Sequence, residues 1–132
     1  FQFQNQNKHL LLETEADLPR ISCEPTAIKR CFFNIINNAL DALSEKGTTL
    51  TIRTESDSEN VKVLFIDDGP GIPQELIEKI FNPFFSTKKS KGTGLGLAVT
   101  RKNIQENGGS IAVRSEPGNG SVFEISFPRI QE

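Results

Sequence analysis

The sequence predicts an α/β fold, a two-layer α/β sandwich in which a mixed sheet is covered on one face by helices. Three observations carry this expectation. Apolar residues recur at three- and four-residue steps through one long stretch, 25–45, as in a helix with one buried face. Two-residue alternation recurs in neighbouring pairs, 48–54 with 61–67 and 111–115 with 121–127, each pair split by a short polar or glycine-rich turn that reads as a hairpin. Helical patterns fall between these pairs, and no repeat, low-complexity tract or linker divides the chain. The 132 residues are therefore expected to form a single domain, 1–132, around one core.

Taken in order, residues 8–14 read as a strand, although the run Leu10-Leu11-Leu12 blurs the alternation. Pro19 and Ile21 suggest a second short extended piece. Pro25 suits the first position of a helix, because its missing N–H would have no partner there. Phe32, Phe33, Ile36, Ala39, Leu40 and Leu43 give that helix its apolar stripe and Gly47 ends it. Leu50 and Ile52, then Val61, Val63 and Phe65, mark two half-buried strands either side of the polar turn 55–60. A glycine-rich corner, Asp67-Asp68-Gly69-Pro70-Gly71-Ile72-Pro73, leads into a helix expected at 74–81. The segment 82–93 shows no period and is long for a structureless connection, which marks it as a candidate functional lid. A helix over 95–107 closes on Gly108-Gly109, and the turn Glu116-Pro117-Gly118-Asn119-Gly120 joins the last two strands.

Composition removes several function classes. Fifteen Lys+Arg against seventeen Asp+Glu leave a net charge of −2, which argues against nucleic-acid binding driven by bulk positive charge. No apolar run approaches the ~20 residues that cross a bilayer, and no signal-peptide pattern opens the chain. A single histidine excludes a His-rich metal site made by this chain alone. Cys23 and Cys31, with no C-x-x-C spacing, are expected to be free buried thiols. The start at Phe1 and the absence of Met lead us to expect a piece of a longer protein.

Three places carry chemistry. Asn34, Asn38 and Asp41 are spaced i, i+4, i+7 and share one face of the long helix. Asparagine is a poor interior helix residue, because its amide competes for backbone partners. Amide oxygens beside a carboxylate suit a hard cation such as Mg²⁺ that also touches phosphate; a solvated polar face explains them equally well. Asp67–Gly71 closes a strand with a carboxylate that can accept from an exocyclic amine and glycines that admit a flat ligand, yet D-G and P-G pairs are also ordinary turn chemistry. Lys91-Gly92-Thr93-Gly94-Leu95-Gly96-Leu97 is a glycine-rich loop opening a helix, where backbone N–H groups can cradle phosphate. It is neither a Walker loop, since Leu97 and not Lys follows Gly96, nor a Rossmann fingerprint after a first strand.

In this order and spacing the three segments resemble the ATP-binding catalytic domain of sensor histidine kinases, within the gyrase, heat-shock chaperone, histidine kinase and mismatch-repair ATPase superfamily. The resemblance covers nearly the whole chain and implies the Bergerat ATP-binding fold. Asn34–Ala42 looks like the N box, Asp67–Gly71 the first glycine box, Phe81-Asn82-Pro83-Phe84-Phe85 the F box and Gly92–Gly96 the second glycine box. Gly118-Asn119-Gly120-Ser121 is similar to the closing glycine-rich turn, while Asn107-Gly108-Gly109 stands where relatives often have His-Gly-Gly.

The resemblance implies roles for individual residues. Asn38 matches the Mg²⁺ ligand, and Asn34, one turn earlier, would support metal or phosphates as a catalytic residue. Asp67 matches the residue that bonds the adenine amino group, with Gly69, Gly71 and Ile72 lining the base and Gly71 beneath it. Asp41, Phe81, Thr87, Leu97 and Ser121 complete the expected nucleotide contacts. Gly92, Thr93, Gly94, Leu95 and Gly96 match the backbone that embraces the phosphates, and Lys88 is a candidate for the terminal phosphate, a role that Lys89 and Lys91 could share. Phe81, Phe84 and Phe85 either anchor the lid or offer a patch to a partner domain; plain core packing fits Phe81 best.

The implied activity is transfer of the terminal phosphoryl group of ATP to a histidine on a separate dimerisation/phosphoacceptor domain, with Mg²⁺ as cofactor and a response regulator downstream. The isolated domain is expected to be monomeric and cytoplasmic, with membrane attachment of the parent protein open. The alternatives are a clamp ATPase, an anti-sigma-factor serine kinase and a degenerate binding module. Clamp ATPases carry Glu where this chain has Asn34, a poor general base, and the intact boxes weigh against degeneracy. The segment Pro83–Lys88 looks like that of nitrogen-regulation and sporulation kinases. His9, in a strand with no acidic neighbour after it, is a poor phosphoacceptor.

Overall fold

The computed structural model describes residues 8–85 and 96–131. Among these residues five strands and three helices occur in the order β1 (His9–Glu13), α1 (Pro25–Glu45), β2 (Thr49–Ser56), β3 (Asn60–Asp67), α2 (Gln74–Ile77), α3 (Gly96–Glu106), β4 (Ser110–Glu116) and β5 (Gly120–Pro128). The sheet order is β1-β2-β3-β5-β4. β1 runs parallel to β2 and every other pairing is antiparallel, so the sheet is mixed as expected.

Helix α1 begins where the sequence places it. Pro25 occupies its first turn and the Glu24 side chain caps it, accepting from the Ala27 N–H at 2.8 Å. Ile28, Cys31, Ile35, Ala39 and Leu43, three or four residues apart, form its buried stripe. Of the expected stripe only Ala39 and Leu43 belong to it, while Phe32, Ile36 and Leu40 are half-buried beside it and Phe33 is 56% exposed. The buried stripe packs with Ile104 of α3 on the sheet face built from Leu50, Phe65, Phe123, Ile125 and Phe127. The other face carries ion pairs, among them Glu124 with Arg114 at 3.2 Å and with Lys62 at 3.9 Å. Ile21 bridges Arg129 antiparallel, which accounts for the extended piece near Pro19.

Two further expectations need correction. The helix expected over 74–81 is only the four-residue α2, followed by turns. Ile80 and Phe81, both buried, lie in these turns. Of the two free cysteines only Cys31 is buried, while Cys23 is half-buried. The expected lid, 82–93, is described only as far as Phe85.

Candidate functional site

The inner face of the sheet changes character in its last row. One row is wholly apolar, with Ile52, Phe65, Phe123 and Val113 side by side in register. The next holds Leu50, Asp67, Ser121 and Ser115. A carboxylate and two hydroxyls therefore end a surface that is otherwise hydrophobic core, at the carboxyl end of β3.

Asp67 is 5% exposed. Burial pushes its carboxyl above the usual range, partly opposed by backbone hydrogen bonds from Gly69 and Ser121 and reinforced by the nearby Asp68 charge. The Gly69 N–H donates to Asp67 Oδ1 at 2.9 Å. Asp68 has a different task. Its Oδ1 accepts from the Thr48 and Thr49 N–H groups, each at 2.8 Å, and its Oδ2 from the Thr48 hydroxyl at 3.3 Å. Desolvation raises the Asp68 carboxyl, but these bonds outweigh it and hold the group below the usual range. Of the two neighbouring aspartates, Asp68 fastens the corner and Asp67 faces the polar row.

Glycines let the corner close. Gly71 has φ +78°, and a Cβ there would lie 2.3 Å from the Glu116 carbonyl oxygen. Gly120 has φ +90°, and a Cβ there would lie 2.0 Å from the Asp67 carbonyl oxygen. Both positions demand glycine for backbone conformation and for space. The Gly118 N–H donates to the Pro70 carbonyl at 2.7 Å, and the Ile72 N–H donates to Ser115 Oγ at 2.7 Å. The corner is thus stitched to the β4–β5 turn.

Helix α1 forms the adjoining wall. A Cβ on Gly69 would approach that of Ala42 to 3.4 Å, which brings the second half of α1 against the corner. Asn34, Asn38 and Asp41 lie half-buried along this helix. The Asn34 amide donates to the Thr100 hydroxyl at 3.1 Å and so ties α1 to α3. Among the described residues, the side-chain amide of Asn38 has no hydrogen-bond partner.

The F-box phenylalanines separate. Phe81 is buried in the core, with the Arg101 guanidinium 5.1 Å from its ring centroid. Phe85 packs against the core's edge. Phe84 is 74% exposed with φ +67°. Gly96 opens α3 and Leu97 packs against the core. Thr87, Lys88, Gly92, Thr93, Gly94 and Leu95 lie outside the described residues. Sequence reasoning passed over Ser115 and Thr100. Ser115 had a visible signal, because it falls in step with Ser121 across the last hairpin; the link from Thr100 to Asn34 joins residues far apart in the chain and left none.

The family model described as "Histidine kinase-, DNA gyrase B-, and HSP90-like ATPase" matches residues 23–131. The chain belongs to this family. Sporulation kinase E of Bacillus subtilis is 37% identical over 122 residues, which cover 92% of this chain and 16% of that protein. Sensor histidine kinase ZraS of Salmonella typhi is 37% identical over 96% of this chain and 27% of its own length. The chain thus spans about a quarter or less of these relatives. The catalytic domain of histidine kinase ThkA superposes with a TM-score of 0.81 at 39% identity, covering 93% of this chain and 80% of that one. The mycobacterial sensor histidine kinase MprB, at 21% identity and a TM-score of 0.74, shares the fold. The histidine-kinase ATPase domain is therefore of the catalytic type, and no helix among the described residues is long and apolar enough to cross a membrane.

Proposed function

We propose that the domain binds ATP with Mg²⁺ and passes the terminal phosphoryl group to a histidine on a separate dimerisation/phosphoacceptor domain, from which a response regulator receives it. One observation carries the nucleotide reading: a buried carboxylate, Asp67, ends the inner sheet face beside glycine backbone and the asparagine-bearing wall of α1. Such a group recognises a ligand edge that donates hydrogen bonds, as an adenine amino group does. In this reading Asp67 accepts from the base and Gly69, Gly71, Ile72 and Ser121 border it.

The α1 wall fits the cation. Asn38 presents a half-buried amide with no partner among the described residues, and an amide oxygen is a hard ligand of the kind Mg²⁺ takes alongside phosphate oxygens. Bound there, Mg²⁺ supplies charge neutralisation at the phosphates. Asn34, held by Thr100, keeps its carbonyl oxygen for the same side of the helix, while Asp41 adds a carboxylate one turn on. Gly92, Thr93, Gly94, Leu95, Gly96 and Leu97, with Thr87 and Lys88, embrace the phosphates from the glycine loop and the lid. The acceptor imidazole nitrogen forms a bond to the terminal phosphorus as the bond to the bridging oxygen breaks, and ADP leaves with that electron pair.

Asn34 bears on the choice between transfer and hydrolysis. Its amide nitrogen is engaged by the Thr100 hydroxyl, and an amide does not take a proton from water. Steady-state ATP turnover by this chain, with and without an acceptor domain, tests the reading. Slow turnover alone and labelling of an acceptor histidine support it; rapid hydrolysis without an acceptor refutes it in favour of an ATPase.

A further inference from the structure

Strand β1 is an edge strand, paired with β2 alone among the described residues. Its three leucines are exposed, Leu10 by 38%, Leu11 by 48% and Leu12 by 65%. The His9 N–H donates to the Thr48 carbonyl at 2.7 Å, so His9, and with it Leu11 and Glu13, turn their backbone groups toward β2. Alternate residues of a strand turn theirs the other way, and Leu10 and Leu12 therefore present N–H and C=O groups outward from the sheet. Among the described residues no hydrogen bond engages those groups. Leu10 and Leu12 also share the inner face with Leu50 and Ile52, their partners in register. That face is uncovered at β1, because α1 rests on β2 and β3 while α3 rests on β4. Cys31 and Asn34 tie one flank of α1 to α3; Ile36 and Leu40, both half-buried, keep the opposite flank apolar on the side of β1. Lysine, proline or a bulge commonly blunts such an edge, and His9–Glu13 has none of them.

We infer that β1 is the docking edge for a second copy of this chain, which pairs with it antiparallel about Leu11. Such a contact uses the same patch on both copies and must complement itself. In the register centred on Leu11, Leu10 of one copy exchanges two backbone hydrogen bonds with Leu12 of the other, and the reverse pair repeats this. Opposed residues share a face, so four leucines carry the inner apolar surface across the junction, between the two α1 flanks. On the outer face His9 stands opposite Glu13 of the second copy, twice over. Glu13 holds Arg53 through Oε1 at 2.8 Å, which leaves Oε2 for the imidazole N–H. Centring the pair on Leu10 or Leu12 instead sets His9 or Glu13 against Leu11 and shortens the pairing. Charge and length both select the Leu11 register. A five-residue edge is small beside the ~1,200 Å² of a standard stable complex, so the monomer expected from the sequence becomes a weak, reversible dimer. This inference stands apart from the nucleotide reading.

Sedimentation equilibrium of the 132-residue chain, from micromolar to millimolar concentration, tests it. Self-association is expected toward the upper end of that range. Leu12→Lys sets a charge in the junction and is expected to weaken association at least tenfold. Its unfolding midpoint should hold, because this side chain is already 65% exposed. His9→Glu, which opposes Glu13, is expected to weaken dimerisation roughly two- to thirtyfold through two like-charge pairs, and His9→Lys to preserve or strengthen it. Leu11→Cys reads the register. Across the two-fold axis its Cα atoms would stand ~4.5 Å apart, within disulfide reach, whereas Leu12→Cys places the thiols on a diagonal of ~7–8 Å. Mild oxidation is expected to link Leu11→Cys into a covalent dimer several-fold faster than Leu12→Cys, with the unaltered chain as the background from Cys23 and Cys31. A chain that stays monomeric at millimolar concentration, as it would if this edge took a strand of another protein, overturns the inference. So does self-association that Leu12→Lys leaves intact, or equal cross-linking at both positions.

Discussion

Asp67 and Ser121 stand directly opposite each other across the β3–β5 ladder, and both are buried. Their row follows one that contains Phe65 and Phe123, so the end of the hydrophobic core and the floor of the proposed pocket are the same surface. Asp67 is the one buried carboxylate among the described residues, in a domain that would be easier to fold without it.

Asp67→Asn should therefore separate function from stability. Loss of a charged acceptor typically costs ~1.5–3 kcal/mol, or roughly ten- to a hundredfold in ADP affinity. Stability should move the other way. Because the folded carboxyl titrates above its unfolded value, its ionisation disfavours folding, and the penalty grows as pH rises through the raised value. The variant without nucleotide is expected to unfold at or above the midpoint of the unaltered domain at neutral pH. The gap should close below the ordinary carboxylate range, as read from thermal unfolding across a pH series.

Asp68 should show the opposite dependence. Its folded carboxyl titrates low, so the stability it contributes is present at neutral pH and is lost as pH falls through the depressed value. Asp68→Ala is expected to destabilise by about 1–2 kcal/mol through the loss of its bonds to Thr48 and Thr49, with little effect on base affinity. Urea unfolding at neutral and acid pH checks both the size and the sign.

Asn38→Ala should lower Mg²⁺-dependent phosphorylation of an acceptor domain by roughly a hundredfold or more, the scale of losing one preorganised electrostatic contact, while weakening ADP binding far less. Parallel labelling and titration check this, and undiminished labelling would remove Asn38 from the metal.

Gly71→Ala and Gly120→Ala should each cost at least ~2 kcal/mol, because both combine positive φ with a Cβ position already occupied by a carbonyl oxygen. Chemical denaturation measures this. Gly118→Ala, also at positive φ but with open space around it, should cost less.

Much of this architecture was legible in the sequence, for identifiable reasons. The alternation through Val63, Phe65, Phe123 and Ile125 encodes burial directly, and the period of 25–45 gave the helix, but not its buried face: this runs through Ile28, Cys31 and Ile35, while Phe33 is exposed. Asn34, Asn38, Asp67 and Gly71 stood out because amides inside a helix and a carboxylate closing an apolar strand are costly residues needing a reason. The end of α2 was not legible, because no glycine or proline stands between Gln74 and Asn82 to mark it. Nor was the division of labour between Asp67 and Asp68, which is decided by the Thr48 and Thr49 backbone across the fold. The place of Ser115 beside Ser121 was legible from the hairpin, but its bond from the Ile72 N–H joins residues 43 apart and left no mark in the sequence.

The parallel pairing of β1 with β2 also decides at which end of the sheet the described chain begins. His9 lies beside Thr49, and the Lys8 ammonium reaches the Gly47 carbonyl at 2.7 Å, next to the corner that Asp68 fastens. Strand β5 leaves in the opposite sense, with Pro128 beside Asn60 at the far end of the sheet. Any module joined ahead of Lys8 is thus leashed at the pocket's end of the molecule. In the proposed function, a phosphoacceptor module attached there would meet the phosphates at an effective concentration set by the length and stiffness of that leash.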